Sequence, residues 1–247
     1  MEQDITEVVE LLSSDKMSDL EQAVLKLNDI LLELLPLIKG IRQSGAIQQH
    51  NRLSDFLALQ DDFEFNIVSH LIHYYKKCWD TFESIDQEIL LLSNRALQGL
   101  LLLHPGSRKV FHRRSNMLTL INFLRLPNEG EEEKTLPVKV TISFISTAIH
   151  VLLKDLKNVR VFEENEGCML IIGKLSKSPG VSLPQSNMHQ DLNFKIIEFL
   201  IFYMTEEHSI SSSQEVRSSS EKAELLRPCF AEIDSLMENI NSLKNLY

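Results

Sequence analysis

The sequence has few of the residues that interrupt helices. Its 247 residues include only 8 glycines and 7 prolines, whereas 43% are apolar. A fold with many β-strands needs frequent tight turns, in which glycine and proline are common. Their scarcity, together with abundant leucine and isoleucine, favours a helical protein with a core of ordinary size.

Cysteine is also scarce, and its spacing excludes two kinds of site. Cys78, Cys168 and Cys229 lie far apart in the chain. An odd number of cysteines without Cys-x-x-Cys spacing forms neither a disulfide framework nor a zinc site. The first four residues, Met-Glu-Gln-Asp, are acidic and do not resemble a signal peptide. We therefore expect a reducing compartment, the cytoplasm.

Long apolar runs and an excess of positive charge are absent as well. The longest apolar runs, Ile89–Leu103 and Val140–Leu153, are shorter than the roughly 20 residues that span a bilayer. We expect core helices and no membrane insertion. Val140–Leu153 is rich in β-branched residues and taken alone would fit a strand, but its length favours a helix. The net charge of −10 disfavours nucleic acid and anionic membrane surfaces as partners.

What the chain does contain is an internal repeat. The segment Ala96–Leu124 reads as an apolar helix, a Pro-Gly break, a short basic helix and a second apolar helix. Residues 109–111 (Lys-Val-Phe) correspond to residues 160–162 (Arg-Val-Phe), and residues 117–124 correspond to 168–175, with the same offset of 51. The apolar faces are too wide for a helix with one solvated side, so each copy needs neighbours on both flanks. We predict an all-α fold, an armadillo-like helical repeat forming an α-α superhelix.

The repeat suggests a division of the chain into four parts. We predict N-terminal helices over residues 1–45 and an armadillo-like helical core over 51–205. A serine-rich segment over 206–220 lacks the apolar content to fold and is predicted to be a flexible linker. The last part, 221–247, is predicted to be a C-terminal helix, which either folds back on the core or binds a partner as a detachable helix.

Local signals predict several helix boundaries. Ser18 or Asp19 is expected to cap the second helix, and Pro36 to kink or end it. The segment after residue 51 is expected to form two helices, or one helix bent near Asn66. Asp86 is expected to cap the helix that enters the repeat.

Two groups of residues have a spacing that a catalytic or metal site could use. His70, His73 and Cys78 are spaced as three metal ligands would be, but the surrounding aromatic residues favour ordinary packed histidines. Asp61 and Glu64 would be neighbours on a helix, as a general acid and base are, but no other hydrolase group accompanies them. No nucleotide-binding glycine pattern is present. We therefore predict no catalytic residues, no metal, no cofactor and no enzymatic activity.

The most suggestive polar feature is a basic cluster on the short helix of the first repeat copy. Such a cluster is suited to an acidic or phosphorylated segment of a partner protein, although a solvated face is an equally good interpretation. The second copy has Glu163-Glu164 where the first has His-Arg, so no continuous basic stripe for nucleic acid is present. The predicted partner-binding residues are Arg108, Lys109, His112, Arg113 and Arg114.

Several segments resemble one family in combination. The chain is similar to the fungal cell division control protein 14 family, the non-catalytic components of the septation initiation network, from about residue 53 to residue 206. The phosphatase of similar name has an active-site His-Cys pair, which this sequence lacks. The segments that carry the resemblance are Leu57–Ile67, Leu100–Pro105 with the following Ser107–Phe111, Asn158–Phe162, and Ile196–Tyr203.

The resemblance implies a regulatory role. Members of the family associate with a germinal-centre (STE20-like) protein kinase as its regulatory subunit, and act at the spindle pole body to promote cytokinesis and septum formation. The alternative is a general armadillo-like scaffold that binds cytoskeletal or trafficking proteins. The identity of the partner distinguishes the two.

Overall fold

Helices account for all regular secondary structure in the residues that the computed structural model describes, which are 1–44, 51–82, 85–125, 136–175, 187–207 and 216–244. The all-α prediction is therefore confirmed. The helices belong to two compact units, Met1–Leu120 and Ile121–Tyr247.

The N-terminal helices are part of the core of the first unit. Helix α1 packs against α2 and α4, and α2 also packs against α5. These contacts bury one apolar side of α1 and α2, as helices with amphipathic spacing require. The elements are α1 (Glu2–Leu12), α2 (Met17–Ser44), α3 (Asn51–Asp61), α4 (Ile67–Asp80), α5 (Gln87–Leu103), a 3-10 helix (Pro105–His112) and α6 (Arg114–Asn122), whose last two residues are assigned to the second unit.

A small polar cluster lies inside the first unit. The Tyr75 hydroxyl donates to Asn94 Oδ1 at 2.9 Å, and Ser93 Oγ donates to the Tyr75 hydroxyl oxygen at 3.3 Å. All three side chains are fully buried, and buried polar groups are stable only when they have such partners. The cluster therefore fixes the register of α4 against α5.

The second unit is built around α7 and α10, which pack against each other. Phe123 and Phe144 stack face to face with ring centroids 4.3 Å apart, and Phe162 lies 6.1 Å from Phe199. The elements are α7 (Val138–Leu152), α8 (Leu156–Glu164), α9 (Gly167–Ile172), α10 (Asn187–Tyr203), α11 (Ser219–Leu226) and α12 (Ile233–Lys244).

The internal repeat is visible in the helix boundaries. Helix α7 begins 51 residues after α5, and α8 begins 51 residues after the 3-10 helix. The corresponding phenylalanines, Phe111 and Phe162, are both fully buried. The short basic helix of the first copy is a 3-10 helix, whereas its counterpart α8 is an α-helix. The armadillo-like stacking of such copies stays a prediction.

Several predicted helix features are confirmed. The segment Val140–Leu153 is helical up to Leu152, the last residue of α7, and is not a strand. Asn66 separates α3 from α4, and its Oδ1 accepts the Ser69 N–H at 3.1 Å. Asp86 caps α5 by accepting the N–H groups of residues 88 and 89 through Oδ1.

The predicted cap of α2 is wrong, and the helix does not end near Pro36, whereas a kink at Pro36 stays a prediction. The helix already begins at Met17, so Ser18 and Asp19 lie in its first turn and not at its cap. Asp19 Oδ2 accepts the Ser14 hydroxyl at 2.7 Å, which holds the short connection from α1. The helix also continues through Pro36 to Ser44, so the proline does not end it.

The C-terminal part forms two helices in place of the predicted one. Helix α11 ends at Leu226, and α12 begins at Ile233. Pro228 follows α11 by two residues, and a proline there cannot continue a helix because it lacks an N–H group. Of the predicted linker, residues 208–215 lie outside the described residues, as do residues 45 and 245–247 of the predicted end segments. The four-part division stays a prediction.

Gly167 provides a sharp test of packing in the second unit. A Cβ atom at this position would lie 2.5 Å from two ring carbons of the buried Phe162, so Gly167→Ala must displace the ring. We expect a loss of about 1–3 kcal/mol in the free energy of unfolding, measured by urea denaturation.

Gly99 is the matched control for this substitution. It lies within α5, and a Cβ atom there meets nothing within 4 Å. Gly99→Ala should stabilise the protein by about 0.5–1 kcal/mol because alanine restricts the unfolded chain. Equal effects of the two substitutions would contradict the described packing around Phe162.

Candidate partner-binding surfaces

A hydrogen-bonded network joins α3, α4 and the 3-10 helix at the centre of the first unit. Asn66 Nδ2 donates to the Gln60 carbonyl at 2.6 Å and to Ser107 Oγ at 2.8 Å. Gln60 Oε1 in turn accepts the Ile67 N–H at 3.0 Å. His104 Nδ1 lies 2.8 Å from Ser107 Oγ, and its Nε2 lies 3.0 Å from Asp61 Oδ1. We call these residues the Asn66 network.

The Asn66 network contains the three residue types of a hydrolase triad, but the exposure of its serine and its aspartate is the opposite of that in a triad. In a triad the serine is accessible and the aspartate is buried. Here Ser107 is only 3% exposed and its oxygen accepts the Asn66 amide, whereas Asp61 is well exposed. The arrangement positions backbone segments, and the Ser107 hydroxyl is buried within it. Asp61, whose spacing from Glu64 would suit a general acid and base pair, contacts His104 through its carboxylate.

His70 and His73, whose spacing would also suit metal ligands, each contact a backbone carbonyl. His70 Nε2 lies 2.9 Å from the carbonyl oxygen of Glu64, and His73 Nε2 lies 3.1 Å from that of Ser14. Cys78 is buried, and burial raises the pKa of its thiol to about 12, so it is protonated at neutral pH. Within the described ranges, no three histidine, cysteine or acidic side chains are grouped as metal ligands.

The residues of the predicted basic cluster differ in burial: some are exposed and one is buried. Arg108 is 7% exposed and donates through Nη2 to the Leu101 carbonyl at 2.9 Å, near the end of α5. Lys109, Arg113 and Arg114 are exposed, and His112 is half-buried. Binding of a partner by these five residues stays a prediction.

Two of the exposed cations line a groove that the sequence did not reveal. The groove has a volume of about 400 Å³ and lies between α4 and the 3-10 helix. Lys76, from α4, adds a third cation, and the described lining residues include no carboxylate. We call it the α4 groove; its walls include Phe63, Ile72, Lys76, Lys109, Val110 and Arg113.

Helix α10 of the second unit exposes a regular apolar stripe. Phe194, Ile197 and Ile201 are 69%, 40% and 46% exposed, and their spacing of three and four residues places them on one helical face. The opposite face packs on α7 and includes the buried Ile196 and Phe199. A helix that is apolar on both faces is normally covered on both. We call these three exposed residues the α10 stripe.

A buried network of charged side chains joins the two described ends of the serine-rich segment. Glu207 Oε2 accepts the backbone N–H of Arg217 at 2.8 Å, and Glu207 also contacts Arg160. Glu163 is bound by Arg160, by the Tyr203 hydroxyl at 2.7 Å and by the Arg217 guanidinium. The residues on either side of segment 208–216 are therefore held side by side.

Lys222 attaches α11 to the end of α10. Its Nζ donates to the carbonyls of Tyr203 and Thr205, both at 2.8 Å, and lies 3.1 Å from Glu207 Oε1. Cations are favourable at a helix C-terminus, where the carbonyls lack partners. Ala223 and Leu226 are buried, so α11 folds back on the second unit.

The described residues form an all-helical protein with two distinct exposed surfaces, the α4 groove and the α10 stripe. A sequence profile of the family described as cell division control protein 14, SIN component, matches residues 38–215. This match covers most of the chain, and the chain therefore belongs to this family. Membership supports a role in cell division control and septation signalling.

One curated relative shows the same similarity. The protein named cell division control protein 14 from Schizosaccharomyces pombe is 23% identical over 199 residues, which cover 76% of each chain. No solved structure matches this chain. No helix in the described part of the chain is long and apolar enough to cross a bilayer.

The Asn66 network provides a test of stability in the first unit. Asn66→Ala removes a helix cap and leaves buried groups at Gln60 and Ser107 without their donor. We expect a loss of about 2–3 kcal/mol in the free energy of unfolding, measured by urea denaturation. Asn66→Ser keeps a capping oxygen but loses the amide donor, so it should still lose about 1–2 kcal/mol. A serine variant as stable as the parent would contradict the proposed role of the amide.

The charge network predicts a dependence of stability on pH. Burial alone would raise the pKa of Glu207, but the N–H of Arg217 and the Lys222 ammonium outweigh it and hold this pKa below its usual value. A depressed carboxyl pKa stabilises the fold above the unfolded pKa of about 4.3, and this stabilisation is lost as the pH falls through the folded value. Glu207→Gln should therefore destabilise the protein at pH 6 and have little effect at the acidic end of a urea-denaturation series.

An exposed glutamate outside the network serves as the control for this experiment. Glu232 is exposed and takes no part in the network around Glu207. Glu232→Gln should leave the pH profile close to that of the parent. If Glu207→Gln has the same effect at every pH, the carboxylate does not contribute through its charge.

Proposed function

We propose that this chain is a non-catalytic regulatory subunit that binds a germinal-centre (STE20-like) protein kinase in septation initiation signalling. In this role it promotes cytokinesis and septum formation, acting from the cytoplasm at the spindle pole body. Membership of the SIN component family supports the pathway. The α10 stripe is the observation that supports a protein partner, because three exposed apolar side chains on one helical face favour burial against another protein.

The α10 stripe fits a protein partner in both chemistry and spacing. Side chains at positions i, i+3 and i+7 are the usual anchors when a helical face enters a groove or packs on another helix. Phe194 is the largest of the three and the most exposed. Large aromatic side chains contribute most to binding when they fill a pocket at the centre of an interface. We therefore place Phe194 at the centre of the kinase interface.

A second exposed apolar stripe lies on α2 and provides a natural comparison. Leu25, Leu32 and Leu35 are each between 44% and 53% exposed. They lie outside residues 38–215, the part of the chain that matches the family, whereas the α10 stripe lies inside it. A surface that serves the function of the family should lie within the matched residues, so we assign kinase binding to α10.

Binding would regulate the kinase in one of two physical ways. The chain would shift the kinase towards its active conformation if it binds that conformation more tightly, since a ligand shifts an equilibrium only by its differential affinity. Alternatively, it would raise the local concentration of the kinase at its site of action. Neither way requires chemistry on this chain.

The first test is the identity and location of the interface. The tagged full-length chain should co-purify with a STE20-like kinase from cells of its source organism. The double substitution Phe194→Asp/Ile197→Asp should weaken the complex by about 30-fold or more, which corresponds to about 2 kcal/mol. Affinity is measured with the purified kinase, and circular dichroism verifies that the variant is folded.

The control is Leu25→Asp/Leu32→Asp, which introduces the same charges on another exposed apolar face. This variant should bind the kinase as the parent does. Loss of binding in the control alone would move the interface to α2. Recovery of cytoskeletal or trafficking proteins without a kinase would contradict the proposed function and support a general scaffold.

A further inference from the structure

We propose that the α4 groove binds a segment of a partner protein that carries a phosphorylated serine or threonine beside an apolar residue. The groove lies in the first unit and shares no residue with the α10 stripe. The proposal therefore goes beyond kinase binding and does not rest on it.

Charge complementarity is the first argument. Lys76, Lys109 and Arg113 line a groove of about 400 Å³ in a protein with a net charge of −10. A phosphate brings a charge of about −1.5 to −2 and three strong acceptor oxygens in one small group. Lysines and an arginine gathered in such a small space match one compact anion better than carboxylates spread along a chain.

The elements that form the groove are held in place before a ligand binds. The Asn66 network ties the start of α4 to the 3-10 helix. Asn116 Nδ2 donates to the Val110 carbonyl at 2.9 Å, and His73 Nε2 lies 3.1 Å from the Ser14 carbonyl oxygen. Binding to a preorganised groove costs less ordering entropy than binding to a mobile surface.

Phe63 provides a preference for an apolar ligand residue, in addition to the preference of the cations for a phosphate. It lines the groove, yet 76% of it is exposed to solvent. The exposed residues Asp62 and Glu64 are its neighbours in the chain, so further acidic residues of a ligand would be repelled at this end. An apolar ligand residue would instead cover the Phe63 ring. The groove is thus suited to one phosphate followed by an apolar side chain, and not to a uniformly acidic segment.

The test uses the full-length chain and fluorescent peptide pools in anisotropy titrations. One pool carries a central phosphoserine or phosphothreonine with leucine, isoleucine or phenylalanine nearby. A second pool has the same sequences without phosphate, and a third replaces the phosphorylated residue and its neighbours by aspartate and glutamate. The phosphorylated pool should bind at least about tenfold more tightly than either of the other two.

Two variants locate the binding within the groove. Lys109→Ala/Arg113→Ala should lower the affinity for the phosphorylated pool by about tenfold or more. Phe63→Ala should weaken binding of this pool but not of a phosphorylated pool in which the apolar residues are serine. The control Arg95→Ala/Lys157→Ala removes the same charge at exposed positions outside the groove and should bind as the parent does.

Four outcomes would overturn the proposal. They are equal binding of the phosphorylated and unphosphorylated pools, equal binding of the acidic pool, absence of binding by every pool, and an equal loss of affinity in the charge-matched control. Kinase co-purification is measured separately and through different residues. Failure of this experiment therefore leaves the proposed function intact, and failure of the kinase experiment leaves this site intact.

Discussion

The side chain of Asn66 is the constraint on which the first unit depends most. One amide caps α4, and its nitrogen also reaches the end of α3 and the hydroxyl of Ser107. The ends of two consecutive helices and a serine 41 residues further along the chain thereby meet at one buried residue. The groove between α4 and the 3-10 helix is formed by these same elements. The hydrogen bonds of Asn66 therefore help to position the elements that carry the cations of the groove, although none of these bonds involves a cation of the groove.

Much of the fold was predictable because it depends on local chemistry. Asp86 caps α5 as its position before an apolar run indicates, and the repeat offset correctly predicts that α7 is a helix despite its β-branched residues. The wrong prediction also has a physical cause. Helix α2 starts at Met17, before the predicted caps, and Asp19 instead accepts the Ser14 hydroxyl, a contact that spacing does not reveal. Tertiary contacts of this kind override local preference.

The candidate surfaces were only partly predictable. Lys109 directly follows Arg108 in the sequence, and Arg113 lies five residues after it. Arg108 nevertheless turns inward to the Leu101 carbonyl, and composition cannot predict which of these cations becomes buried. Lys76 joins the cluster only through folding. Helix α10 is apolar on several sides, so its residue pattern does not indicate which face is exposed. No local pattern signals the link between Asn66 and Ser107, because it joins residues that are 41 positions apart.

The contact between Glu207 and the backbone of Arg217 closes the intervening segment into a ring. For such a ring, each doubling of its length costs only about 0.6 kcal/mol of closure entropy. The hydrogen bonds of Lys222 hold α11 on α10 whatever residues lie between. Additional residues between these two anchors should therefore cost the second unit little free energy of unfolding.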